Sequence, residues 1–314
     1  MIGIKDIALG NIKLRKSNAE KLADINLQEL LKNDDIRKLY VTCKSLMVDI
    51  AKADFRGEDS TKLKEKYDAT KTKIKRLVKK NKIDLSSIKP QYECKICKDQ
   101  GRVAGKDCDC LKREISHLLF EQCGLKLDEL PDFATTKFDL YKDKATKDSV
   151  EHLYKILENY IDKYSETTKR FVVVCGKVGV GKTHMLQCAV RRAIESNLMT
   201  YYTTAFNLNQ DMLAYHCASL QDKPGIISKY LDSDLLCIDD LGTEVIYKNV
   251  TVEYLYLILN ERQQRGKNTI ITTNLNIEQI RDIYDDRIMS RLVSKKDSIL
   301  VEMNSEDLRL KKAN

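Results

Sequence analysis

Eight consecutive residues constrain this chain more than any others: Gly176-Lys177-Val178-Gly179-Val180-Gly181-Lys182-Thr183. They follow an apolar run, Phe171–Cys175, that reads as a buried strand, and they open a helical pattern over Thr183–Glu195. A strand, then G-x-x-x-x-G-K-[ST], then a helix is the phosphate-binding P-loop. Each residue type has a steric or electrostatic reason to be there. Gly176, Gly179 and Gly181 let the backbone wrap a phosphate with its N–H groups pointing inward. The helix that begins at the loop's end adds its positive N-terminal pole. Lys182 is expected to reach the β- and γ-phosphates of ATP, and the Thr183 hydroxyl to sit on Mg²⁺.

The rest of that half of the chain supplies the sheet such a loop requires. From Arg170 onward strand and helix patterns alternate: β-rich residues at Met199–Phe206, a helix over Leu208–Ser219, a buried run at Asp234–Ile238, a helix over Val250–Arg265 ended by Gly266, a third run at Thr269–Thr273 and a short strand at Ser298–Val301. Alternation of this kind predicts βαβ units, hence a parallel sheet with helices on both faces. The run Leu235–Asp240 ends in two acids. Asp239 at such a strand end can hold Mg²⁺, directly or through water, and Asp240 can polarise an attacking water. Neighbouring strand residues point to opposite faces, but at a fraying strand end both can approach the phosphates. Asn274, ending Lys267–Asn274, can contact the γ-phosphate or the water; as a strand-terminating turn residue it would be equally ordinary. Arg287 and Arg291 lie four apart on one helical face. Their fork suits phosphate, yet Asp285 and Asp286 beside them also fit a solvated, locally paired helix.

The first 86 residues read as helical. Ile36, Leu39, Tyr40, Cys43, Leu46, Met47 and Ile50 mark one amphipathic face; Leu63, Tyr67, Ile74, Leu77 and Val78 mark another, with Asp59 or Ser60 as N-cap. The break at Arg56–Ser60 makes them an αα-hairpin. Pro90 closes the region. A further helix is expected from Leu111 to about Cys123, an irregular strap over Pro131–Lys144 and a helix over Lys147–Lys163. Between lie Cys94-x-x-Cys97 and Cys108-x-Cys110, four thiols within seventeen residues. C-x-x-C gives two sulfurs to one metal from a tight turn, and Gly101 and Gly105 let the chain fold back. A tetrahedral structural Zn²⁺ fits best; an iron–sulfur cluster, a redox pair and four free thiols are the other readings. Cys43, Cys123, Cys175, Cys188, Cys217 and Cys237 fall in apolar runs and read as buried small residues.

Composition narrows the class. Pro is 3 and Gly 12 in 314 residues, against long linkers and against a turn-rich all-β fold. No apolar run nears the roughly 18 residues of a membrane span, and no signal-peptide pattern is visible at the start, so a cytoplasmic location without membrane contact is expected. In that reducing compartment ten cysteines do not make a disulfide framework.

Together GKVGVGKT, LLCIDDLGTE, TIITTN and RIMSRL, in that order, resemble the AAA+ module of bacterial helicase loaders of the DnaC/DnaI type; the same module is similar to that of IstB-type transposition ATPases. The resemblance covers about residues 130–314, with Asp239–Glu244 as its most family-specific piece, and the cysteine knuckle also looks like that of a DnaI-like loader. It implies an α/β fold, a P-loop AAA+ ATPase module (129–314) with a parallel sheet, preceded by a helical N-terminal domain (1–88) and a small four-cysteine zinc knuckle with its connecting helix (89–128). It makes Lys182 and Thr183 Walker A, Asp239 and Asp240 Walker B, Asn274 sensor 1, Arg291 the arginine finger with Arg287 as neighbour, and Arg309 sensor 2. Asp240 stands where many AAA+ proteins have Glu, one methylene longer, which fits slow hydrolysis. The implied function is ATP-dependent loading of the hexameric replicative helicase onto single-stranded DNA, with subunits associating through the ATP site and the N-terminal domain gripping the helicase. The alternative is a transposition accessory ATPase acting on double-stranded DNA.

The net charge of the chain is +8, and residues 62–82, with ten Lys/Arg and two acids, account for all of it. An anionic partner therefore belongs to this helix if anywhere: the resemblance favours an acidic face of the helicase over DNA, and a solvated helix face is the ordinary alternative for such a charge run. Tyr201, Tyr202 and Phe206 could stack on bases, although the two tyrosines read better as strand core.

Overall fold

The computed structural model of the chain describes residues 4–80, 86–121, 126–305 and Leu308. These residues divide into two compact units, Leu9–Lys106 and Asp107–Asn314, the latter grouped with Met1–Ala8.

The first unit is helical. Helix α1 covers Ile4–Leu30, α2 covers Asp34–Arg56 and α3 covers Thr61–Lys80. The α2–α3 hairpin is built by local chemistry. Asn33 accepts from the backbone N–H groups of Asp35 and Ile36, and Asp34 and Asp35 load the first turn with negative charge. Gly57, at φ +72°, caps the other end and donates to Ala53 and Asp54 carbonyls. Leu30, Ile36 and Val78 form the small core, with Ile74, Leu77 and Ile88 packed against it. The sequence marks only α2 and α3 as separate helices. α1, twenty-seven residues long, shows little segregation of apolar residues, so its period is faint.

After α3 the chain forms a two-stranded ribbon, β1 (Arg102–Val103) and β2 (Lys106–Asp107). Its turn takes positive φ at both Ala104 and Gly105. Helix α4 (Asp109–Glu121) follows, and the residues after it, Cys123 included, lie outside the described ones. The expected strap over 131–143 is present as turns and extended chain before α5 (Lys144–Asp162).

The second unit is the expected parallel sheet. Its elements are β3 (Phe171–Gly176), α6 (Lys182–Glu195), β4 (Thr200–Thr204), α7 (Ala205–Cys217), α8 (Lys223–Asp232), β5 (Leu235–Leu241), α9 (Thr251–Gln264), β6 (Asn268–Thr273), α10 (Ile277–Leu292) and β7 (Ser298–Met303). The strand order is β4-β5-β6-β3-β7, all parallel. Every residue of β6 and the first five of both β3 and β5 are buried, as strands covered on both faces must be. The connection from β3 crosses to β4 at one edge, while that from its neighbour β6 crosses over β3 to β7 at the other. The crevice between the carboxyl ends of β3 and β6 is thus the topological switch point where α/β sheets bind ligands.

Two features of this unit leave no clear pattern in the sequence. One is the ten-residue helix α8. The α10 segment is broken at Asp285, whose φ of +75° and ψ of 171° are costly for a residue with a Cβ. Asp285 Oδ1 accepts from the N–H groups of Arg287 and Ile288, so it caps a new short helix carrying both arginines.

Arg262 ties the sheet's opposite end together. It is fully buried, and its guanidinium donates to Thr269 Oγ1, Ser233 Oγ and the carbonyls of Tyr230, Ser233 and Asp234, and also to Asn268 O. Burial lowers its pKa to about 10, so it stays charged, satisfied by carbonyl dipoles instead of a carboxylate.

Candidate functional site

The loop after β3 has the geometry its sequence demands. Gly179 and Gly181 take φ of +78° and +102°, and Gly181 is the N-cap of α6. A Cβ on Gly176 would lie 2.6 Å from the Met303 carbonyl oxygen, so the strand end admits no larger residue without a backbone shift. Tyr141, from the strap, donates to the Val180 carbonyl at 2.9 Å and backs the loop from behind. Its phenol is pushed up to about 12 by burial, so it remains a donor at any physiological pH. His184, one residue past Thr183, lies 3.0 Å from the Tyr154 hydroxyl through Nδ1. Burial lowers its pKa, which keeps the ring neutral beside the loop.

Three chain segments meet at this loop. Lys182, 5% exposed, donates 2.8 Å hydrogen bonds to the Gly176 and Lys177 carbonyls and a 2.6 Å bond to Asn274 Oδ1. The ammonium therefore sits between the first turn of the loop and the end of β6. The Thr183 hydroxyl donates to Asp239 Oδ1 at 3.2 Å, so two hard oxygens of the kind Mg²⁺ selects lie side by side at the carboxyl ends of β3 and β5. A glycine-lined loop at a helix N-terminus, a buried ammonium and paired oxygens fit a Mg²⁺-nucleotide. Bound there, the Mg²⁺ would be held by Thr183 and Asp239 and would neutralise charge on the phosphates.

Asp239, 3% exposed, has its other contacts supplied by residues not expected at this site from the sequence. Tyr202 donates to Asp239 Oδ2 at 2.8 Å, and Thr272 donates to Oδ1 at 2.5 Å. Thr272 Oγ1 also accepts from the Asp240 N–H at 2.9 Å, so one hydroxyl fixes both acids. No signal singled out Thr272, one of four polar residues in the six of β6. Nor did any signal tie Tyr202 to Asp239, to which only the register of β4 on β5 brings it. As expected, Tyr201 and Tyr202 are strand core, at 4% and 6% exposure.

The two acids do not share one regular strand. Between Ile238 and Leu241 the register of β5 on β6 shifts, and Asp240 takes a left-handed φ of +56°. The bulge turns Asp240, partly exposed, away from the position a plain strand would give it. The turn beyond is tight. A Cβ on Gly242, at φ +101°, would lie 2.4 Å from Leu275 Cδ1. Glu244 closes this turn by accepting from the Gly242 N–H at 2.9 Å, and the hydroxyl of buried Tyr284, at the end of the first part of α10, donates to its other oxygen.

Arg287 and Arg291 share one helical face but do not reach the loop. Arg287 pairs with Asp285 at 2.8 Å and Glu253 at 3.0 Å and lies 4.8 Å from the Tyr256 ring centre. Arg291 lies 4.4 Å from the same ring and donates to Tyr256 Oη, Asn260 Oδ1 and the Arg287 carbonyl. Arg309 lies outside the described residues; Leu308 beside it donates its N–H to the Gly179 carbonyl at 3.0 Å.

The thiols of Cys94, Cys97, Cys108 and Cys110 lie within 4.8 Å of one another, and all four residues are buried. With Zn–S bonds of about 2.3 Å a tetrahedral site places its sulfurs roughly 3.8 Å apart, so the donor set and spacing fit Zn²⁺ with no position left for water. Buried Asp99 braces the turn, accepting from the Glu93 and Cys94 N–H groups at 2.9 Å. Of the other cysteines, Cys43, Cys175, Cys188 and Cys237 are buried as expected. Cys217 is exposed, contrary to expectation, because α7 ends there and its last turn faces outward.

Fold and site define a P-loop ATPase of the AAA+ class. The chain belongs to the family described as IstB-like ATP binding protein, whose model matches residues 125–314. It is 27% identical over 209 residues to the phage-like element PBSX protein XkdC of Bacillus subtilis, a match covering 60% of this chain and 74% of that one. A chromosomal replication initiator protein DnaA from Kosmotoga olearia is 31% identical over 121 residues, 38% of this chain and 26% of that one. Among solved structures, the crystal structure of DnaI aligns with a TM-score of 0.44 and 18% identity, over 58% of this chain and 92% of that one. No helix among the described residues is long and apolar enough to cross a membrane.

Proposed function

We propose that this ATPase loads a hexameric replicative DNA helicase onto single-stranded DNA at the start of replication. The observation that carries this reading is the joining of two chemistries in one chain. The second unit holds the nucleotide site. The first exposes apolar side chains that a self-sufficient unit would hide: Leu14, Leu22 and Ile25 on α1, and Val41, Val48 and Phe55 at seven-residue intervals on α2, Phe55 at 94% exposure. Such stripes suit docking against another protein, and the motif resemblance names the helicase as that protein.

In this reading Lys182 and the backbone of Gly176–Thr183 bind the ATP phosphates. Thr183 and Asp239 hold Mg²⁺, Asp240 polarises the attacking water, and Asn274 senses the γ-phosphate while sharing Lys182. Arg291, with Arg287 beside it, serves the site of a neighbouring subunit, so self-association completes the active site. The four-cysteine knuckle carries a structural Zn²⁺. The family match also favours a second reading, a transposition accessory ATPase acting on duplex DNA.

Val48→Asp combined with Phe55→Asp is expected to abolish capture of the host helicase by the full chain while leaving basal ATP turnover intact. Equal capture by the variant, or none by the parent protein, removes the loader reading. Elemental analysis of the purified chain should find about one zinc per chain, and none would end the structural-metal role.

A further inference from the structure

Helix α3 differs from every other surface of the first unit. Its twenty residues carry nine basic side chains and two acidic ones. Ion pairs elsewhere in the protein are frequent, yet on α3 the only one among the described residues joins Lys64 to Asp54. Lys62, Lys66, Lys73 and Arg76 are all exposed and have no acidic partner among the described residues. At about 100° per residue these four fall within an arc of roughly 80° on one flank of the helix, and they run over about 21 Å of its length. The apolar residues Leu63, Tyr67, Ile74, Leu77 and Val78 occupy another side, and Val78 sits in the small core. The cations therefore stand on a flank that the hairpin leaves open.

We infer that this ridge binds the phosphodiester backbone of a nucleic acid, independently of the ATP site. Three observations favour nucleic acid over an acidic protein face. First, α3 exposes no large apolar side chain, whereas α1 and α2 expose several. A protein interface needs a desolvated apolar centre, and a polyanion does not. Second, only one of the nine basic residues of α3 is arginine. Arginine's fork suits the fixed, bidentate ion pairs of a protein interface and of specific phosphate contacts, whereas lysine is a mobile point charge that suits sequence-independent neutralisation of a polyanion. Third, the hydroxyls of Thr70 and Thr72 are turned inward to the carbonyls of Lys66 and Asp68, so the ridge offers charge without a side-chain hydroxyl code. Binding should accordingly be independent of sequence and steeply dependent on salt. The apolar faces of α1 and α2 remain available to the protein partner of the preceding section, and this inference does not require that partner to be a helicase.

The test uses the full chain without nucleotide, a fluorescein-labelled thirty-nucleotide oligo-dT and a labelled mixed-sequence duplex, with anisotropy read between 50 and 200 mM KCl. The variant replaces Lys62, Lys66, Lys73 and Arg76 by Gln together. Affinity should fall by at least about tenfold at the lowest salt, and the slope of log K against log salt should become shallower by about 3 for the single strand or about 4 for the duplex. Loss confined to one form assigns the ridge to that form. Changing Lys62, Lys66 and Lys73 to Arg should retain binding, and the helical circular dichroism signal should be unchanged in both variants. An unaltered affinity and salt slope in the Gln variant overturns the proposal. So does competition by poly-glutamate as effective, charge for charge, as competition by unlabelled oligonucleotide, which would reassign the ridge to acidic proteins.

Discussion

The two units reach order by different routes. In Leu9–Lys106 helices are fixed by local caps at Asn33 and Gly57, and the tight core is three buried residues with three partners. In the sheet unit the site is made by partners far apart in sequence: Lys182 meets Asn274 ninety-two positions later, and Asp239 meets Thr183 fifty-six positions earlier. A helical hairpin spends its side chains on outward faces, here apolar on α1 and α2 and basic on α3. A parallel sheet spends them inward, and its chemistry emerges only where strands end. The first unit should therefore tolerate surface change and lose partners, while the second should lose catalysis from single-atom changes.

The largest expected effect lies where one subunit would complete another. Arg291→Ala should lower ATP turnover of the assembled protein by about 10³-fold or more. Mixing it with Asp240→Ala should restore part of the rate, since mixed neighbours would include intact sites. Measured ATPase that stays flat at every mixing ratio removes the trans role. Next comes Lys182→Ala. Losing a buried ammonium that makes charge-assisted bonds should weaken nucleotide binding by about 100-fold or more, read by calorimetry, and unchanged affinity would end its phosphate role.

A smaller and more specific effect is expected from Tyr202→Phe. Without its hydroxyl, Asp239 keeps Thr183 and Thr272 but is less well held, so half-saturation by Mg²⁺ should rise by about tenfold while ATP binding without metal is unaltered. A Mg²⁺ titration of turnover checks this, and an unmoved midpoint makes Tyr202 merely part of the core. The smallest functional effect is expected at the thiols. Burial raises Cys175 and Cys188 to about 11, so both stay protonated, hence unreactive, until pH nears that value. Exposed Cys217 should take up iodoacetamide first at neutral pH, with ATP turnover changed less than about twofold, because its side chain supports no buried contact. Peptide mass mapping decides the order.

Much of this was legible early for physical reasons. The P-loop needs its residue types in one short stretch, so Gly176–Thr183 was unmistakable, and so was the four-cysteine cluster within seventeen residues. Amphipathic period located α2 and α3, and apolar runs located the central strands. Other features had no such signature. The faint period of α1 and the short α8 hid them. The fracture of α10 at Asp285, the bulge at Asp240 and the outward last turn of α7 are settled by packing, which overrides local preference.

The sequence by itself determined a nucleotide-binding parallel-sheet ATPase, a helical unit before it, a cluster of four cysteines with metal-ligand spacing and the place of the chain's excess charge. Each depends on residue types at short, fixed spacing. Tertiary structure alone decided that Tyr202 and Thr272 fix Asp239, that Asn274 shares Lys182, and that Arg287 and Arg291 flank Tyr256 away from the loop. Those relations depend on strand order, register and helix rotation, which bring distant residues within hydrogen-bonding reach and leave no periodic trace along the chain.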